Sequence, residues 1–308
     1  MDVLVCGAGI AGAALAYWLR HHGFTPTVVE RAPRVRAGGY AAGLRGEALD
    51  VLDRMALLER AEALDLRLGD TAMADECAAL PVAVRAGDLE ILGDDLAGLL
   101  YQATRRDVEY VFGDSIATLE QTVGDVRVTF DRGRPRRFDL VADADGLYSR
   151  TRSLVFGPPE RFVRNLGLYT AVFGLPGHFG AEDGGRVHRV LGKAAAVPGT
   201  RDGARARCAA PASGRGASQA LISAYILAGE LAAGGGHARA FAAYEREMRG
   251  FVAEHQHLGR EGADQFFLST PPQEGLDRTT AARPHVMRLK DYVPGFAAER
   301  PSPGRAAR

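Results

Sequence analysis

Residues 7 to 12 read Gly-Ala-Gly-Ile-Ala-Gly, and Glu30 follows 18 positions after the last of them. Glycines at this spacing suit a phosphate group: Gly7 makes a tight turn, Gly9 lets the backbone approach a pyrophosphate, and Gly12 lets a helix pack closely on a strand. Ala8, Ile10 and Ala11 complete the loop, whose N–H groups point at an anion as the helix opens. Glu30 stands where an acid accepts hydrogen bonds from an adenosine ribose, and its charge would repel a 2′-phosphate. Arg31, directly after it, belongs to the same set of candidate cofactor contacts. A second loop of small residues, GARARCAAPASGRG from Gly203 to Gly216, runs into a stretch suited to a helix and could hold an anion or a polar cofactor in the same way. No carboxylate stands at Ala204, Arg205, Ala206 or Arg207, which lead into it.

Such residues need elements to aim them. Asp2 to Cys6 is a short apolar run, a helix-suited stretch extends to about Arg20, and Thr25 to Val29 returns as a second strand ending on Glu30. A strand, a Gly-rich turn, a helix and a strand within about thirty residues is a dinucleotide-binding unit, with FAD and NAD both open. Asp94 to Arg105 carries Leu96, Leu99, Leu100 and Ala103 at helical spacing. Four strand-like runs follow, VEYVF, SIATL, VRVTF and RFDLV, joined by turns containing Gly113, Gly124 and Gly133. A β-meander closing on VADADG is unlike a second NAD-type repeat and points to the flavoprotein variant of the Rossmann domain. After Arg152, residues 154 to 176 hold apolar patches such as LYTAVFGL, and residues 177 to 206 lack a clear period, which predicts a loop or a poorly packed segment. Helices are predicted over about Ser218 to Ala233 and Ala238 to Leu258, the second with Phe241, Tyr244, Met248, Phe251 and His255 on one face. The Pro- and Arg-rich tail after Ser269 is expected to be loosely held.

Composition narrows the function classes. The chain has 308 residues, 46% hydrophobic and 25% charged, with 38 basic and 38 acidic side chains. That is ordinary globular usage with no net field to steer nucleic acid or an anionic membrane, so neither is expected as a partner. Cys6, Cys77 and Cys208 form no CxxC pair and read as buried structural thiols in a reducing compartment. The apolar start has Asp2 where a signal peptide has a basic region and glycines where its apolar stretch should be solid, so a cytoplasmic protein is expected. His255 and His257 are two apart on a predicted helix and diverge, and no metal site is proposed. Neither a Ser/His/Asp triad nor a paired-carboxylate site is evident.

Taken together, GAGIAGAALAYWLRHHGFTPTVVERAP, DLVADADGLYSRTRSLVFGP and CAAPASGRGASQALISAYILAGELAA resemble the FAD-dependent aromatic-ring hydroxylase family, the single-component flavin monooxygenases that include tetracycline-modifying oxidases. The resemblance runs from residue 1 to about 176 and from about 203 to 258. It implies an α/β fold in which a FAD-binding Rossmann-like domain, a parallel sheet plus a β-meander, carries a reduced substrate domain and C-terminal helices. The implied boundaries are 1–152 and 203–258 for the FAD-binding domain, 153–202 for the remnant of the substrate domain and 259–308 for the tail.

By the same resemblance Gly7, Gly9, Gly12 and Glu30 hold the ADP half of FAD, and Arg45, in AAGLRGEALDVL, looks like an arginine found near the flavin. Asp145 and Gly146 match the Asp-Gly that serves the pyrophosphate region, although Asp143 stands where the family has glycine. Gly203, Pro211, Gly214 and Gly216 keep the pattern of the third motif, but Ala204 replaces the aspartate that accepts a hydrogen bond from the ribityl chain. Losing such a charge-assisted bond costs roughly 1.5–3 kcal/mol. Gly93 replaces an arginine near the flavin edge, and several tens of residues present in the family are missing before the third motif. The implied reaction uses NAD(P)H as reductant and O2 to hydroxylate an aromatic or polyketide-like small molecule. A flavin-dependent dehydrogenase or reductase, or a catalytically silent flavoprotein homologue, is the alternative. Catalytic residues, substrate and oligomeric state are not legible.

Overall fold

The computed structural model describes residues 1–35, 41–66, 71–74, 79–82, 88–164, 186–190, 193–197, 216–263 and 287–293. The chain opens with β1 (Asp2–Cys6), α1 (Ile10–His21), β2 (Thr25–Glu30), β3 (Ala41–Leu44), α2 (Glu47–Arg54) and α3 (Leu58–Glu62). It continues through β4 (Thr71–Ala74), β5 (Ala79–Val82), β6 (Leu89–Leu92), α4 (Gly93–Thr104), β7 (Glu109–Phe112) and β8 (Ile116–Gln121). Then follow β9 (Val126–Phe130), β10 (Arg136–Phe138), β11 (Leu140–Asp143), α5 (Arg150–Phe156), β12 (Arg186–Val190), β13 (Lys193–Val197), α6 (Gly216–Ala232) and α7 (Gly236–Ala263).

A four-stranded parallel sheet ordered β11-β1-β2-β7 forms the centre. Its inner strand β1 is covered on both sides, as parallel strands require. Val3 and Val5 of β1 enter the large core with Leu15, Trp18 and Leu19 of α1, whereas Leu4 and Cys6 point the other way, onto Ile116, Val128 and Phe138 of the β8-β9-β10 sheet. Burial pushes the Cys6 thiol up to about 12, so it stays a neutral apolar filler. The antiparallel layer has three strands, not the four of the expected meander. β7 belongs to the parallel sheet, and RFDLV splits at Asp139, with β10 in the antiparallel layer and β11 beside β1. Asp139 fixes the break: its N–H donates to Asp2 O at 2.9 Å and its carboxylate accepts from Asp2 N at 2.6 Å.

The helical layer explains why residues so late in the chain matter to its start. α6 is apolar nearly all round, and Leu221, Ile222, Tyr225 and Ile226 are buried in the same core as α1 and α2. On α7, Met248, Phe251 and His255 are buried as predicted, but Phe241 is 40% exposed. The expected loop over 177–206 is corrected in part: β12 and β13 pair, and β12 runs parallel to β4 in a sheet ordered β13-β12-β4-β5. Glycine, alanine, arginine and proline dominate that stretch and leave no period to read.

Residues 287–293 are held firmly, which corrects the expectation of a loosely held tail for this segment; the rest of the chain after Ser269 lies outside the described residues. The Tyr292 ring lies against Gly229, where a Cβ would come within 2.2 Å of it, and its hydroxyl donates to Glu230 at 2.6 Å. Lys290 bridges Glu230 at 2.8 Å and Glu247 of α7 at 2.6 Å. Tyr225 donates to Lys290 O at 2.9 Å, and Arg54 of α2 reaches both Tyr225 and Asp291. One short segment therefore ties α2, α6 and α7 together.

Candidate functional site

A cavity of about 820 Å³ opens at the carboxyl ends of β1, β2, β7 and β11, the edge at which open α/β sheets take their ligands. Gly7, Ala8, Gly9, Ile10 and Ala11 line it, with Glu30 and Arg31 beyond them and Asp145 and Gly146 on the far side. Gly7 adopts φ +100°, and a Cβ there would lie 2.6 Å from Ala144 O, so only glycine fits. Gly12 does not line the cavity; a Cβ on it would lie 1.8 Å from Gly7 O, which makes it the point of closest approach between helix and loop. Gly9 differs from both. It is the N-cap of α1, and a Cβ there would meet nothing within 4 Å.

The N-terminus of α1 is left open. No side chain caps it and its first turn holds no acid, so its leading N–H groups face the cavity with the positive end of the helix dipole behind them. Glu30 is fixed by two backbone donors, Ala8 N to Oε2 and Ala32 N to Oε1, both at 2.8 Å. A carboxylate has about four acceptor sites, so two remain for a pair of ligand hydroxyls. An open helix end, a bare Gly9 and a fixed acceptor fit the pyrophosphate and ribose of a dinucleotide such as FAD.

Asp145 is anchored to the protein through one carboxylate oxygen. Its Oδ2 accepts from Thr151 N at 3.1 Å and Thr151 Oγ1 at 2.8 Å, which caps α5. Asp143, where the family has glycine, accepts from Asp145 N at 2.9 Å and Ser149 Oγ at 2.6 Å and so holds the turn through Gly146, at φ +82°. Arg45 is not brought to this cavity. Its guanidinium lies 3.3 Å from both Asp88 and Glu90, and the Arg45 backbone N–H donates to Ser218 Oγ of α6 at 3.2 Å. Burial pushes the Glu90 carboxyl up, against the pull of Arg45. Gly216 opens α6 with no neighbour within 4 Å of a Cβ, whereas Pro211, Gly214, Gly203 and Ala204 lie outside the described residues. Gly93 begins α4, whose Asp94 and Ala97 line the cavity.

Sequence reasoning missed the outer wall, where Asp114, Ser115, Asp131, Arg132 and Arg150 also line the cavity. Phe112 pairs with Glu30, which sets the Gly-Asp-Ser turn that ends β7 beside the predicted ribose acceptor, a neighbour that no sequence pattern marks.

Comparison with known proteins identifies the family. Residues 1–155 match the family described as the FAD binding domain. An uncharacterized protein of Mycobacterium tuberculosis is 36% identical over 376 aligned residues, covering 94% of this chain and 99% of its own. A flavin-dependent monooxygenase of Legionella longbeachae is 27% identical over 354 residues, covering 87% of this chain and 90% of its own. Among solved structures, tetracycline destructase Tet(55) superposes with a TM-score of 0.80 at 26% identity, over 94% of this chain and 98% of its own. Among the described residues no helix is long and apolar enough to cross a membrane. With its FAD-binding Rossmann-like fold and these relatives, the chain belongs to the FAD-binding domain family, as an FAD-dependent monooxygenase of the aromatic-ring hydroxylase type.

Proposed function

We propose that this chain uses NAD(P)H and O2 to hydroxylate an aromatic or polyketide-like small molecule, with FAD bound by its ADP half across the N-terminus of α1. The observation that carries the placement is the open end of α1 beside the fixed Glu30 carboxylate. In this reading Gly7 to Ala11 cradle the pyrophosphate, Glu30 accepts from the ribose hydroxyls, and Arg31 and Gly146 flank the chain of the cofactor, while Gly12 and Asp145 hold the backbone that does so. Arg45, Pro211, Gly214 and Gly216 would serve the flavin end. When bound, FAD supplies the redox and oxygen chemistry; the protein binds it, orients it and excludes water. The substrate class follows from relatives named as tetracycline destructases and flavin-dependent monooxygenases. The domain boundaries expected from the sequence and a cytoplasmic location belong to the same reading.

One observation favours weak coupling of electron flow to hydroxylation. The alignment to the mycobacterial relative runs over 376 residues although the whole chain has 308, so it spans stretches for which this chain has no counterpart. In this reading the missing stretch belongs to the pocket wall, and its loss, with Ala204 and Gly93 at two family positions, lets water reach the reacting centre so that reduced oxygen escapes as hydrogen peroxide. The test is to measure NAD(P)H loss, peroxide and hydroxylated product together in the purified protein, after flavin absorbance has given the FAD content. Peroxide nearly mole for mole with NAD(P)H is expected. Product matching NAD(P)H would place the chain among fully coupled monooxygenases, and absence of flavin after reconstitution would overturn the cofactor placement.

A further inference from the structure

We infer that Asp114 is a positioning residue for the purine end of the cofactor: its carboxylate ties the turn ending β7 to the turn between β9 and β10, and so fixes the cavity wall beyond Glu30. The inference rests on the placement of the ribose at Glu30 proposed above. If the pyrophosphate lies at α1 and the ribose at the end of β2, the next unit outward lies toward β7, because β1 and β11 occupy the other side of β2. The structure laces that side together. Gly113 N donates to Ala32 O at 2.9 Å and Asp114 N to Glu30 O at 3.2 Å, so the β7 turn is registered on the stretch that carries the ribose acceptor.

From this anchored turn the Asp114 side chain reaches to the antiparallel layer. Its Oδ1 accepts from Ser115 N at 2.8 Å and Arg132 N at 3.0 Å, and its Oδ2 accepts from Gly133 N at 2.7 Å. Asp131 N returns a bond to Ser115 O at 2.9 Å. Asp114 is only 6% exposed, and a Cβ on Gly133 would sit 2.9 Å from Oδ2, so the two turns meet at a site built for this carboxylate. Gly113, Ser115, Asp131 and Arg132, the residues so held, all line the cavity. Because the carboxylate bonds inward to three backbone donors, it sets the shape of the wall and leaves contact with the base to its neighbours.

Asp114→Asn keeps the shape but turns an N–H2 group toward at least one backbone donor, which breaks part of the tie. The full chain, freed of flavin, is titrated with FAD, with ADP and with FMN, which lacks the adenosine half. The expected result is a loss of FAD and ADP affinity of about tenfold or more with FMN affinity within about twofold of the parent. Should Asp114→Asn fail to fold, Gly133→Ala, which displaces the carboxylate without removing it, is read by the same ratio. FAD and ADP binding within about twofold of the parent would overturn the inference, as would an FMN loss equal to that of FAD, the mark of a merely structural residue. A parent chain that binds FMN but neither FAD nor ADP would instead overturn the cofactor placement, and the inference with it.

Discussion

The N-termini of α1 and α5 face the same cavity and are finished in opposite ways. That of α5 is closed by its own residues, with Ser149 Oγ accepting from Arg152 N at 2.8 Å and Asp145 accepting from Thr151 N at 3.1 Å. That of α1 has neither a cap nor an acid in its first turn. The difference follows from how each helix is held. α5 has seven residues, of which only Thr151 is buried, so without caps little would keep it helical. α1 has twelve residues and buries Ala13, Ala14, Leu15, Ala16, Trp18 and Leu19. Packing secures α1 from behind and leaves its leading N–H groups free for a ligand; a site of this kind is a local deficit that tertiary structure can sustain.

Substitutions that exchange the two treatments test this contrast, and the largest effect is expected at Gly12. Gly12→Ala forces a Cβ against Gly7 O and should lower the melting temperature sharply, with FAD binding lost as well, since backbone must move to relieve a 1.8 Å contact. Gly9→Asp gives α1 the kind of cap that α5 has. Its Cβ enters open space, so thermal stability should hold or rise by a few tenths of a kcal/mol while FAD affinity collapses. Loss of stability together with binding would mean that the open end of α1 is structural. Ser149→Ala removes the α5 cap and should cost about 1 kcal/mol of stability in chemical denaturation. FAD affinity is expected to change far less than in Gly9→Asp. The smallest effect is in pH. Burial alone would raise the Asp114 carboxyl, but donation from Ser115, Gly133 and Arg132 N–H outweighs it and holds the group below its ordinary 3.8. Its contribution to stability is therefore present above that value and fades as pH falls through the lower folded one. The gap in melting temperature between parent and Asp114→Asn should be flat at neutral pH and narrow on acidification.

How far the sequence could be read follows the range of the interactions. The β1-α1-β2 unit was legible because its glycines fall at a spacing set locally by strand, turn and helix, with Gly12 packed on Gly7 O five positions away, and α6 was placed within two residues at its start because its apolar run is continuous. RFDLV was misread as one strand because the cause of its break, the pairing of Asp139 with Asp2, lies 137 positions away. The outer wall was missed for the same reason: Asp114, Arg132 and Gly133 sit in turns that carry no period, and they meet only after two sheets have packed. Arg45 stands out by its motif, whereas its partners Asp88 and Glu90, which lie 3.3 Å from its guanidinium, carry no mark in the sequence.

The segment at residues 287–293 sets the order in which the molecule can be completed. Arg54, Tyr225 and Glu230 all have partners in it. A ribosome making this chain from its N-terminus has therefore exported the sheet, the glycine loop and both long helices before those partners emerge. Until then the nascent protein carries an unfinished flank on α6 beside Trp18, whose ring stacks edge-on with Tyr225 at 4.9 Å. Flanks of this kind attract chaperones and neighbouring chains. A premature stop ahead of Met287 would accordingly be felt first as poor yield of folded protein, long before any question of catalysis arises.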